Sequence, residues 1–170
     1  MSRAWQKAAS FAARAHLGQV RKDGVTPYIS HPFRVALTAR DLFGVSDEDV
    51  LCAALLHDTI EDTTVDYDEL CTEFGAEVAD LVAVLSKDGR LPEPAREVAY
   101  HKGLASASWK ARLVKVADVY DNLCDAPSAS ARKRAMAKAE EALSLAHGAE
   151  PQLQRAADYL RELLADCREI

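Results

Sequence analysis

The run Cys52-Ala53-Ala54-Leu55-Leu56 passes without a break into His57-Asp58-Thr59-Ile60-Glu61-Asp62. Five apolar residues in succession belong in a core, yet four ionisable groups follow within six positions. Burying such groups without partners is costly. The chain must therefore bring other groups, or a cation, to that end of the segment. A divalent metal meets this need, because it accepts an imidazole and a carboxylate and leaves the second acidic pair to handle water. The flanks make the segment a helix. Ser46-x-x-Asp49 has the form of a cap with an acidic first turn, and Val50, Ala53, Ala54 and Leu56 follow at helical spacing. If this helix continues past His57, then Asp58, Glu61 and Asp62 share one face.

Helical periodicity recurs along the rest of the chain. Trp5, Ala8, Ala9, Ala12, Ala13, His16 and Leu17 form one stripe, and Val35 to Phe43 form another after the His31-Pro32 step. A short amphipathic helix over Tyr67–Phe74 should stop at Gly75, and another should run from Ala76 to about Leu85. Further helices are expected over 94–104, 108–123, 130–146 and 151–167, with Pro151 suited to a first helical position. Residues 87–92 read as a loop. So does Val25–Ile29, which is bounded by Gly24, Pro27 and Pro32 and is the nearest approach to a strand. The expectation is an all-α fold, a single bundle of eight or nine helices spanning 1–170.

At 170 residues, with 49% apolar and 28% charged residues, the chain can build a sizeable core. A net charge of −6 argues against a broad nucleic-acid surface, so any anion site must be local. No stretch approaches the length of a membrane span, and Met1 to Trp5 lack the apolar run of a signal peptide. Cys52, Cys71, Cys124 and Cys167 show no C-x-x-C pairing and read as reduced thiols of a cytoplasmic protein. The sequence leaves a homo-oligomer open.

Two further residues extend the cluster at 57–62. His31 sits at a loop-to-helix step, and Asp118 ends the apolar stretch Leu113 to Ala117. Two imidazoles and two carboxylates suit Mn²⁺, Fe²⁺, Zn²⁺ or Mg²⁺, and four protein ligands leave coordination positions for water and substrate. Each residue also has a plainer role. His31 could cap a helix, Asp118 could pair with Lys115, Glu61-Asp62 could be a solvated acidic turn, and Arg21-Lys22 could complement a helix dipole.

The order H…HD…D resembles the HD superfamily of metal-dependent phosphohydrolases. Arg21-Lys22-Asp23-Gly24, Pro27-Tyr28-Ile29-Ser30-His31-Pro32, Ala53 to Thr63, Phe74-Gly75 and Lys115-Val116-Ala117-Asp118 together resemble the hydrolase domain of RelA/SpoT-type proteins, and especially the small stand-alone alarmone hydrolases. The resemblance covers a core of 3–125 well and the C-terminal helices of 129–167 poorly. It implies His31, His57, Asp58 and Asp118 as ligands of a metal, typically Mn²⁺. It implies Glu61 and Asp62 as the catalytic, water-activating pair, and Arg21, Lys22 and Asn122 as nucleotide contacts. The implied reaction removes the 3′-pyrophosphate of ppGpp or pppGpp, giving GDP or GTP and pyrophosphate. The substrate is then a small nucleotide, with no nucleic-acid or membrane partner.

Three departures bear on the substrate. The basic residue that usually follows the last ligand Asp is Val119 here, and Asp121 adds a negative charge nearby. Glu93, rather than Lys, follows Leu91-Pro92, with Arg90 or Arg96 available to compensate. On the late helix Arg134 and Lys138 are the best counterparts of the family's substrate-side Arg, and a following Tyr is absent. A less charged phosphorylated nucleotide, or a nucleotide-binding module without turnover, are the alternative readings. Tyr28, Tyr120 and Trp109 read as core packing.

Overall fold

The central element is α3 (Glu48–Leu56), whose residues Val50 to Leu56 are all buried. A helix apolar on every side has no solvent face, so neighbours must surround it. They are α1 (Ala4–Ala15), α2 (Ser30–Leu37), α6 (Ala76–Leu85) and α8 (Trp109–Cys124). The computed structural model describes residues 3–168 and contains, among them, ten α-helices and no β-strand. Besides those five they are α4 (Thr59–Asp62), α5 (Tyr67–Phe74), α7 (Glu93–Ser106), α9 (Ala129–Leu145) and α10 (Pro151–Arg168). α8 is the second hub, packed on α2, α3, α6, α9 and α10. Phe43, Leu56, Leu70, Leu104, Leu113, Leu153 and Leu160 are among the side chains sealed in the core.

Most boundaries follow the sequence signals. α5 stops where Gly75 takes a φ of +87° and a ψ of 164°, a region essentially reserved for glycine and costing other residues about 1–3 kcal/mol. α10 begins at Pro151. Side-chain caps start α5, α8 and α9, where Asp66, Ser108 and Ser128 accept from Glu69, Ala111 and Ala131 amides.

Three local details differ from expectation. The cap of α3 is Asp47, not Ser46; its carboxylate accepts from the Asp49 and Val50 amides at 3.0 and 3.2 Å. α3 stops at Leu56 and does not run on, so α4 is an additional single turn after the bend at His57-Asp58. α2 passes into a π-helical turn over Thr38–Leu42, closed by the Phe43 amide on the Thr38 carbonyl at 3.1 Å. That turn swings Phe43 into the core, where its ring meets Tyr120 edge-on and lies beside Tyr159. Tyr120 and Trp109 pack against the core as expected.

Residues 19–28 form a tight loop rather than a strand. An isolated antiparallel bridge joins Val20 to Pro27, and the Arg21 amide bonds to the Thr26 carbonyl at 2.8 Å. Asp23 ties the tip by accepting from the Val25 and Thr26 amides. The loop delivers Arg21 and Tyr28 to the ends of α3 and α8.

Candidate metal centre and nucleotide pocket

His31 near the start of α2, His57 at the end of α3 and Asp118 within α8 converge at the bundle interior, all three buried. One donor atom from each lies within 4.8 Å of the others. His31 Nε2 is 3.3 Å from Asp118 Oδ1, and His57 Nε2 is 3.8 Å from the same oxygen. Asp58 stands beside both rings, its Oδ2 3.0 Å from His57 Nε2 and 3.6 Å from His31 Nε2. It lies outside the 4.8 Å set of three but at the same opening.

The outward nitrogens fix the orientation. His57 Nδ1 donates to the Ala54 carbonyl at 2.9 Å, and His31 Nδ1 lies 2.6 Å from Asp121 Oδ2. With Nδ1 carrying the hydrogen, each Nε2 lone pair faces the carboxylates. His57 Nε2 is buried and makes no well-aligned hydrogen bond, although Asp58 Oδ2 stands 3.0 Å away. An orphaned buried nitrogen among carboxylate oxygens is the pattern a cation would complete. A divalent metal therefore fits this donor set, and His31, His57, Asp118 and Asp58 are the residues able to hold it.

Without the metal, protons carry the compensating charge. Burial pushes the His57 pKa down, but the Asp58 and Asp118 charges outweigh it and raise it to about 9. Burial likewise opposes ionisation of Asp118, yet Lys115 and the two imidazoles hold its pKa well below the usual carboxylate range. The Lys115 ammonium is 2.8 Å from Asp118 Oδ2. The pairing considered as an alternative role for Asp118 thus coexists with its place beside the imidazoles: one oxygen faces Lys115 and the other His31.

α4 carries the second acidic pair. The Asp62 amide reaches the Asp58 carbonyl at 2.9 Å, so the turn keeps helical spacing despite the bend. Glu61 Oε2 accepts from the Lys87 amide at 2.8 Å. The walls around its carboxyl, then the Asp58 and Asp62 charges, raise the Glu61 pKa above the ordinary value. The Tyr28 hydroxyl donates to Asp58 Oδ2 at 2.6 Å and approaches Asp62 Oδ2 at 3.2 Å. Burial, followed by those carboxylate charges, raises the Tyr28 pKa, so it remains a donor. Tyr28 lines the same cavity as these carboxylates and bonds to them, rather than serving core packing as read from the sequence. Gln19 steadies α4 through the Asp62 carbonyl at 2.7 Å.

Two cavities meet here. One, of about 270 Å³, is lined by His31, His57, Asp58, Glu61, Asp62 and Tyr28. The other, of about 450 Å³, runs along α8 and α9 and is lined by Arg21, Lys22, Asn122, Arg134 and Lys138. Arg21, Lys22, Lys115, Asp118, Asn122 and Lys138 border both, so every site residue expected from the sequence lines one or other of two adjoining cavities. Ala131, Arg134, Ala135 and Lys138 present one face of α9 to the larger one.

The expected compensations take another form. Arg90 is exposed and bonded to Asp88, and neither it nor Arg96 lines either cavity. Lys87 and Lys115 line the smaller cavity instead, their ammonium groups paired with Glu97 and Asp118 at 2.8 Å. Val119 is a buried apolar wall. Asp121 does not face the cavities at all; it turns back to His31 and Arg34. Its charge therefore does not oppose an anionic ligand there.

A family model described as the HD domain matches residues 8–145. The chain belongs to the HD-domain family. Among curated relatives, guanosine-3′,5′-bis(diphosphate) 3′-pyrophosphohydrolase MESH1 of Mus musculus is 38% identical over 165 residues, which is 94% of this chain and 92% of that protein. The Homo sapiens counterpart is 46% identical over 120 residues, 70% of this chain and 67% of the relative. A solved structure of a metazoan ortholog of SpoT, which hydrolyses ppGpp and plays a role in starvation responses, matches with a TM-score of 0.81 at 29% identity. It covers 95% of this chain and 96% of that one. A Listeria monocytogenes structure shares the fold, with a TM-score of 0.66 at 24% identity over 89% of this chain and all of that one. His57-Asp58 directly follows α3, and no helix among the described residues is long and apolar enough to cross a membrane.

Proposed function

We propose that this HD-domain protein removes the 3′-pyrophosphate of ppGpp and pppGpp, yielding GDP or GTP and pyrophosphate, with Mn²⁺ as its working metal. The observation that carries this reading is that the two cavities adjoin across shared lining residues. A cluster suited to a cation and an acidic pair suited to water chemistry lie beside a pocket rich in Arg and Lys. The relatives' named activity is the same reaction.

His31, His57, Asp58 and Asp118 hold the metal, with Asp121 and the Ala54 carbonyl orienting the two rings. When bound, a divalent ion there supplies positive charge for phosphate oxygens and acidifies water. Glu61 is the proton acceptor: its carboxyl lines the opening, and a pKa raised above the ordinary value makes it a stronger base. The Tyr28 hydroxyl holds the Asp58 and Asp62 carboxylates in register, and Asp62 orients the water. Arg21, Lys22, Arg134 and Lys138 offset phosphate charge, Arg offering a fork to paired oxygens. Asn122 contacts the sugar from the α8 face.

A nucleotide panel assayed with Mn²⁺, Mg²⁺ and no added metal tests the reading. Release of pyrophosphate from ppGpp, strongest with Mn²⁺, is expected. Rapid turnover of another phosphorylated nucleotide with ppGpp intact would reject the substrate, and ppGpp binding without turnover would reject catalysis.

A further inference from the structure

Asp118, Asp121 and Asn122 in the C-terminal half of α8, and Asp125 as its C-cap, follow one another at helical spacing. Arg34, one turn into α2, reaches across to two of them. Its Nε and Nη2 fork onto Asp121 at 2.6 and 3.0 Å, and Nη2 also meets Asp125 Oδ2 at 2.9 Å. Asp121 in turn holds His31 Nδ1 at 2.6 Å. Asp125 holds Arg21, whose Nε and Nη2 lie 3.0 and 2.9 Å from the same carboxylate oxygen. Arg21 Nη2 donates to Asn122 Oδ1 at 3.1 Å, and Asn122 Nδ2 donates to Asp118 Oδ1 at 2.6 Å. Asp118 Oδ1 faces His31 Nε2 at 3.3 Å, which closes the path into a ring.

We infer that Arg34 is a positioning residue that couples the cation site to the substrate pocket, by gripping Asp121 behind His31 and Asp125 behind Arg21 at once. This rests on the metal-dependent reading above. The physical case is one of charge. Asp121 is almost fully buried and could not stay ionised there unpaired. Arg34 supplies the charge that lets Asp121 act as an anionic brace for His31. Its second contact fixes Asp125, and with it the direction of the Arg21 guanidinium. Arg34 itself lines neither cavity, so it acts only through these carboxylates. A lysine point charge has no fork and cannot serve both partners in the same way.

The test compares wild type with Arg34→Met, Arg34→Lys and Asp125→Asn. Mn²⁺ affinity is read by electron paramagnetic resonance, and KM and kcat for ppGpp are read by pyrophosphate release. Arg34→Met should weaken Mn²⁺ binding roughly tenfold, the lower end of what loss of a ligand's supporting partner costs. It should raise KM several-fold while kcat at saturating metal changes less. Arg34→Lys should fall between, and Asp125→Asn should raise KM with Mn²⁺ affinity near wild type. Adding Asp125→Asn to Arg34→Met should raise KM by less than the product of the two separate effects, because both reach Arg21 through Asp125. Mn²⁺ affinity and KM both within about twofold of wild type in Arg34→Met, whether or not Tm drops, would overturn the inference. Wild type that takes up no Mn²⁺ would overturn the metal reading and this inference with it. Wild type that binds Mn²⁺ but leaves ppGpp intact would overturn only the substrate reading, and the affinity comparison would still decide the role of Arg34 at His31.

Discussion

Replacing Glu61 by Gln separates chemistry from structure at this site. Gln keeps the shape and an oxygen that accepts from the Lys87 amide, the bond Glu61 makes at 2.8 Å. That bond is worth about 1 kcal/mol, so Glu61→Ala would mix its loss with the loss of the carboxylate, and Gln is the cleaner change. Glu61 is not among the clustered donors His31, His57 and Asp118. Mn²⁺ affinity should therefore stay within about twofold of wild type. Removing a charge that Asp58 and Asp62 repel should leave Tm unchanged or slightly raised. The catalytic term is different in kind. A positioned proton acceptor contributes about 10²–10⁴-fold, equivalent to roughly 3–5 kcal/mol of barrier at 1.36 kcal/mol per decade. kcat for ppGpp should fall by that factor, with KM changing little. The assays are steady-state pyrophosphate release, metal titration and thermal melting on the same preparation. A kcat within about threefold of wild type, with metal binding intact, would refute the assignment of Glu61 as proton acceptor.

Cation loading should depend on pH in a defined direction. The metal-free protein holds His57 protonated up to about 9, so a metal must displace that proton and Mn²⁺ should bind more tightly as pH rises toward 9; calorimetry in buffers of different ionisation enthalpy should register proton release at pH 7. The same raised pKa stabilises the metal-free fold fully below about pH 6.5, the ordinary histidine value, and that contribution is lost as pH climbs through about 9. Chelator-treated protein should accordingly melt earlier at pH 9 than at pH 6.5, and metal-loaded protein should show less of this loss. Arg134→Ala should raise KM for ppGpp several-fold with Mn²⁺ affinity unaltered, because its side chain borders the larger cavity and not the smaller one. Leu113→Ala, at a fully buried position of α8, should cost about 2–5 kcal/mol in a denaturant titration.

The helices were legible because their cause is local. The stripes over Tyr67–Phe74 and Ala76–Leu85, broken by Gly75, match α5 and α6 at both ends. Where competing local signals were close in strength the reading slipped by a residue: Ser46 and Asp47 are both good caps, and only the geometry of the turn selects Asp47. The π turn at Thr38–Leu42 had no sequence signature of its own, since it answers to the fit of Phe43 against Tyr120 and Tyr159. The site divides in the same way. His57-Asp58 and Glu61-Asp62 were visible because an apolar run ends in charge. Tyr28 was not, because its partners lie 30 and 34 positions away. Asp121 looked like a charge opposing the substrate until the fold turned it toward His31 and Arg34.

By itself the sequence determined that the chain is helical and that the apolar run closing at Leu56 must end at a charged cluster. It also marked His31 and Asp118 as candidates to join that cluster. These follow from periodicity and from the cost of burying charge, which act over a few residues. Tertiary structure alone decided which nitrogen of each histidine faces inward, how the two cavities adjoin, and that Arg34 bridges Asp121 and Asp125. Those outcomes depend on contacts such as that between residues 34 and 121, which lie 87 positions apart. Such pairs meet only once the packing of α2 against α8 has fixed where every side chain can reach.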